Sequence, residues 1–154
     1  DTILAAPELH DTLDLTRPVA VLLVAVLHFL LDHEQAYDVV QTLMAAMPAG
    51  SYLVISHATT DALPADTARR LAAWDLPGRG DFTARTSAQV ARFFDGLTLI
   101  DPGLHVISAW RPDPGHPQPP AEQVAAYGGI AHKPPPCPGP RGNIAERREN
   151  GHRP

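Results

Sequence analysis

A single cysteine, Cys137, leaves no way to close an intrachain disulfide or build a thiolate metal cluster. Its proline-rich surroundings offer no adjacent cation to lower the thiol pKa, which argues against a catalytic thiolate. Lysine is equally scarce. Of 12 cationic residues only Lys133 is a lysine, and 17 acidic residues bring the formal net charge to −5. That balance supplies no basic field for a phosphate backbone, so nucleic acid is not an expected partner. The longest apolar run, Val19 to Leu31, is broken by His28 and falls short of the roughly 20 residues that a membrane-spanning helix needs, so no membrane partner is expected either. A cytoplasmic, reducing setting fits these absences. Also missing are the phosphate-binding G-x-x-x-x-G-K-S/T loop, the G-x-S-x-G elbow, the H-E-x-x-H helix and the G-x-G-x-x-G turn, which removes support for kinase, hydrolase, zinc-protease and dinucleotide-binding readings. Asp1 stands where an initiating methionine would, and nothing near it reads as a signal peptide, so the chain is expected to be a piece of something longer.

What is present suits one domain: 154 residues, 44% of them hydrophobic and 19% charged. Pro18 opens a stretch, Val19 to Leu27, that is β-branched and apolar on both alternating faces. This pattern predicts a strand covered on both sides, as at the centre of a parallel sheet, with a buried helix as the competing reading. Asp32 and Gln35 have capping-box spacing, and Ala36, Val40, Leu43, Met44 and Met47 then recur at helical intervals until Pro48-Ala49-Gly50. Ser51 to His57 reads as a second strand, completing a βαβ unit.

Further on, a helix is expected from Pro64 to Trp74, then a Pro77-Gly78-Arg79-Gly80 loop and a helix opened by Thr86 with Gln89 and stopped by Gly96. Leu97–Ile100 and Leu104–Trp110 read as short strands about Pro102-Gly103, and Ala126–Ala131 as a last one. Ahead of the βαβ unit, Thr2 to Leu15 predicts helical turns with Pro7 at a first helical position. Residues 134–154 are rich in proline and arginine and predict a disordered tail beyond a domain of residues 1–133.

In open α/β sheets ligands lie beyond the carboxyl ends of the strands, and here those ends carry Leu27-His28-Phe29 with Asp32, and Ser56-His57. If the strands are neighbours, His28 and His57 face one crevice, where a neutral imidazole can take a proton from an acceptor and Asp32 can orient a ring. The plainer reading has His28 as strand-end packing and Asp32 as a helix cap. A metal is not expected, because the spacing of His28 and His33 does not present a ligand pair on one helical face, and the remaining histidines show no partner pattern. Trp74, Phe93, Phe94 and Trp110 are expected mostly in the core.

The segments Arg17-Pro18-Val19-Ala20-Val21-Leu22-Leu23-Val24-Ala25-Val26-Leu27-His28-Phe29 and Met47-Pro48-Ala49-Gly50-Ser51-Tyr52-Leu53-Val54-Ile55-Ser56-His57-Ala58 resemble the fourth and fifth strand regions of class I S-adenosylmethionine-dependent methyltransferases. Together with Val90–Leu97, Trp110-Arg111-Pro112-Asp113 and Tyr127-Gly128-Gly129-Ile130, they are similar to the actinobacterial S-adenosyl methyltransferase family over residues 1 to 134. The resemblance implies a Rossmann-like α/β sheet of which this chain holds the carboxyl-terminal half, since the glycine-rich loop and acidic residues of the first strands are not in this sequence. It implies S-adenosylmethionine as cofactor, touched here by Ala25, Val26, Leu27, His28 and Phe29, with His28 and His57 as catalytic candidates. The end of the first strand lacks the Asn/Asp-Pro-Pro-aromatic signature of nucleic-acid amino-methylating enzymes, which points to a small-molecule acceptor. A noncatalytic remnant or protein-interaction module of the same fold is the alternative. Oligomeric state is not legible.

Overall fold

Ala20–Val24 forms β1, and Tyr52–Ala58 forms β2, paired in parallel with Ala20 opposite Tyr52 and Val24 opposite Ser56. Between them runs α2, His33–Ala46, which places Ala36, Tyr37, Val40 and Met44 on its buried face, as the helical spacing requires. The computed structural model describes residues 3–72 and 82–136, so Trp74, the Pro77–Gly80 loop, Cys137 and nearly all of the expected tail lie outside the described residues.

The sheet order is β1-β2-β5-β3, with β5 (Ala126–His132) antiparallel to β2, and with β3 (Thr98–Leu99) and β4 (His105–Val106) both antiparallel to β5. Gly128 and Gly129 let neighbours close on β5: a Cβ at Gly128 would meet Ile107 Cγ2 at 2.9 Å, and one at Gly129 would meet Phe94 Cζ at 3.1 Å. Among the described residues the other α-helices are α1 (Pro7–Thr12), with Pro7 in its first turn, α3 (Ala65–Ala72) and α4 (Ser87–Ala91), the last opened by a reciprocal Thr86–Gln89 capping box. The core joins Leu27, Tyr37, Val40, Leu53, Ile55, Val90, Phe93 and Phe94 between the sheet and the α2 and α4 regions. Lys133 Nζ donates to Met44 O and Met47 O, both at 2.6 Å, neutralising the carboxyl end of α2 where the helix dipole is negative.

Three expectations need correction. The Val19–Leu27 stretch is not a strand buried on both faces. β1 stops at Val24 and is the edge of the described sheet, with Leu22 62%, Val24 52% and Val26 47% exposed, while Val21 and Leu23 are half-buried on the α2 side. An apolar pattern on two faces permits cover on both, but only one face has it here. The Leu104–Trp110 segment is a strand only at His105–Val106 before it turns into a 3-10 helix over Ile107–Ala109, and Trp110 is half-buried with Nε1 donating to Gly103 O at 3.0 Å. Asp32 makes half a capping box: its Oδ1 accepts from Gln35 N at 3.0 Å.

Candidate active site

Because β1 and β2 are parallel neighbours, their carboxyl ends open on the same side of the sheet. The chain leaves β1 through Ala25, whose φ of 55° lies in the left-handed region and whose N–H donates to Ser56 O at 3.2 Å and Ser56 Oγ at 3.1 Å. A single 3-10 turn follows, Leu27–Phe29. Leu27 anchors it in the core, while Val26 and Phe29 remain exposed. His28 is half-buried, with its ring centroid 4.5 Å from that of Phe29, 5.7 Å from His57 and 6.2 Å from Phe82. The two histidines at the strand ends are therefore brought together. Asp32 is engaged at the start of α2.

The residue that organises this region carries no motif. Arg85 is 1% exposed, and its guanidinium reaches four acceptors: Leu27 O at 3.0 Å, Leu30 O at 2.8 Å, His57 Nε2 at 2.8 Å and His33 Nδ1 at 3.3 Å. The planar fork of arginine can address acceptors lying in different directions, which a lysine ammonium cannot do to the same extent. Its backbone N–H donates to Ala58 O at 3.0 Å and that of Thr83 donates to His28 O at 2.8 Å, so residues 83–85 form a strap across both strand ends. Burial pushes the Arg85 pKa below its ordinary value, and its guanidinium stacks 5.5 Å from the Phe93 ring centroid.

His57 is 1% exposed and both ring nitrogens are engaged: Nδ1 donates to Ala58 O at 2.8 Å and Nε2 accepts from Arg85. Burial, followed by the nearby Arg85 charge, holds its pKa down to about 4, against the backbone bond that favours the protonated ring. This imidazole is neutral, with its Nδ1 proton fixed. At the rim, Asp61 Oδ2 accepts from Ser87 N at 2.7 Å and from Tyr127 Oη at 3.2 Å; burial, then the Asp61 charge, raises the Tyr127 pKa. Among the described residues no three His, Cys, Asp or Glu side chains gather as a metal site, and no helix is long and apolar enough to cross a membrane.

An α/β sheet with an antiparallel strand set beside its parallel pair, and with residues of interest gathered at the parallel strands' carboxyl ends, is the arrangement of class I methyltransferases, and a SAM-dependent methyltransferase from Methanosarcina mazei shares the fold at 10% identity and a TM-score of 0.53, over 76% of this chain and 59% of that one. The chain belongs to the S-adenosyl methyltransferase family, whose model matches residues 1–134. It is similar to a DUF574-family protein from Streptomyces avermitilis MA-4680 at 40% identity and a TM-score of 0.78, covering 86% of this chain and 51% of that one. A proposed methyltransferase from Thermobifida fusca YX matches at 32% identity and a TM-score of 0.71, over 86% and 49% of the two chains. The chain thus spans about half the length of these relatives. No match is found among proteins of curated function.

The family's cofactor is S-adenosylmethionine. The turn after β1 suits one flank of such a ligand, because Val26 and Phe29 offer exposed apolar surface at 47% and 49% beside the strand end. Carboxylate chemistry for ribose hydroxyls is not offered by that turn, since Asp32 caps α2.

Proposed function

We propose that this chain forms the acceptor-facing half of an S-adenosylmethionine-dependent methyltransferase site that acts on a small molecule. The observation that carries the reading is the family match over residues 1–134, which includes the Leu27–Phe29 turn at the carboxyl end of β1. Ala25, Val26, Leu27, His28 and Phe29 form one wall of the cofactor pocket, and the glycine-rich and acidic contacts to the cofactor come from sequence outside these 154 residues. When bound, the cofactor supplies a methyl group on a sulfonium that is already a good leaving group, so alignment of the acceptor does most of the work left to the protein. Leu27 fixes the turn in the core, Phe29 and Phe82 flank His28, and the His28 imidazole takes the proton released by a hydroxyl or amine acceptor. His57, with both nitrogens engaged, supports the His28 turn rather than exchanging protons itself. A net charge of −5 favours a small acceptor over nucleic acid.

A second reading, an interaction module of the same fold, draws on the open apolar side of β1, where Leu22 and Val24 are exposed. Photo-crosslinking separates the two. The chain is combined with the amino-terminal half of the Streptomyces avermitilis relative, irradiated with methyl-labelled S-adenosylmethionine and mapped by mass spectrometry. Label within residues 25–29 is expected. Label confined to the amino-terminal half would overturn the assignment of this wall.

A further inference from the structure

We propose that Arg85 is the positioning residue of this site: its buried guanidinium holds the His28 turn, His57 and the start of α2 in one arrangement, and by occupying Nε2 of His57 it keeps that imidazole from serving the acceptor. The inference rests on the methyltransferase reading for the word acceptor, and on the geometry for everything else.

A buried guanidinium is costly to desolvate, and the four acceptors of Arg85 are two carbonyls and two imidazole nitrogens, with no carboxylate among them. Packing alone would be served by an apolar side chain of similar volume. What an apolar residue cannot do is satisfy Leu27 O and Leu30 O, the carbonyls that bracket His28 and Phe29, while also filling Nε2 of His57. These charge-assisted bonds are stronger than neutral ones and directional, so they define the turn and not merely its burial.

The same contacts set the tautomers. With Nη1 donating to Nε2 and Ala58 O accepting at Nδ1, a second proton on His57 would put two donors face to face. Nε of Arg85 likewise donates to Nδ1 of His33. The charged or titratable groups facing His57 are Arg85, His28 and His33, and the Phe93 ring stacks 5.8 Å from it. His28 lies on the strap side, where its carbonyl accepts from Thr83 N and its ring meets Phe29 and Phe82.

The test is nitrogen NMR of the imidazoles in the whole 15N-labelled chain, titrated with acid, for wild type, Arg85→Lys, His33→Ala and a control, Met44→Ala, which opens the core near the far end of α2. Wild-type His57 is expected as a pure Nδ1–H tautomer that does not titrate near neutral pH. In Arg85→Lys, where one ammonium cannot reach all four acceptors, the Nε2 and Nδ1 signals of His57 and the His28 signals should shift. Met44→Ala should leave both unchanged, because lost core packing alone does not alter an imidazole's partner. If Arg85→Lys fails to fold, His33→Ala removes one arm of the same fork from a half-buried position and should move the same signals by less. Unaltered His57 and His28 signals in the folded variants would overturn the proposal. These signals are read without cofactor, so a failure of cross-linking counts against the methyltransferase reading alone.

Discussion

Nε2 of His57 accepts from Nη1 of Arg85 at 2.8 Å while Nδ1 of the same ring donates to Ala58 O at 2.8 Å. A doubly engaged, buried imidazole can hold a site in shape but has no lone pair left for a substrate proton. On the function proposed above, this relationship divides the two strand-end histidines into a support, His57, and a proton acceptor, His28.

That division has a pH signature. The His57 pKa falls from 6.5 to about 4 on folding, so between those values the unfolded chain binds a proton that the folded chain refuses. Its contribution to stability is therefore complete above the unfolded value and is lost as pH falls from 6.5 towards about 4, by up to ~3 kcal/mol. Urea unfolding across this window should show the slope in wild type and a flatter profile in His57→Gln. Equal slopes would show that His57 is not the group responsible.

Arg85→Ala removes a side chain that satisfies two backbone carbonyls and two imidazoles at 1% exposure. A loss of about 3 to 5 kcal/mol is expected from buried groups left unpaired. A loss below about 1 kcal/mol in denaturant unfolding would mean that water replaces the guanidinium without cost.

Ala25 holds a φ of 55° at the exit from β1. Glycine adopts this conformation without a Cβ penalty, so Ala25→Gly should stabilise by up to about 1 kcal/mol, whereas β-branched Ala25→Val should destabilise by more than that. Thermal unfolding of the pair checks the order, and a more stable valine variant would contradict the turn.

Leu22 is 62% exposed on the edge strand. An apolar edge is a template for association, so Leu22→Lys should shift the chain towards monomer in sedimentation while changing unfolding free energy by less than about 1 kcal/mol. An unchanged oligomer distribution would place any association surface elsewhere.

The elements that sequence patterns revealed are those whose signals are local. The Thr86–Gln89 box, the α2 spacing ending before Pro48 and the β2 run each depend on residues within a few turns. The exposed side of β1 was not legible, because apolar residues on both faces report a capacity for burial and not whether anything covers them. Arg85 was missed for a related reason: its side-chain partners lie 28 to 58 residues away in the chain, and beside the Thr86 cap it reads as an ordinary surface cation. From their places at the strand ends, His28 and His57 are expected to face one crevice; their rings lie 5.7 Å apart, but His57 is 1% exposed and bound to Arg85, an environment the local sequence does not report.

The central claim is that this chain supplies one part of a cofactor site and needs the complementary contacts to bind. Calorimetric titration with S-adenosylhomocysteine, of the chain alone and of the chain combined with the amino-terminal half of the Streptomyces avermitilis relative, tests it most directly. The account predicts no saturable heat for the chain alone and one-to-one binding for the combination. Low-micromolar binding by the chain alone, or none by a folded combination, would contradict it.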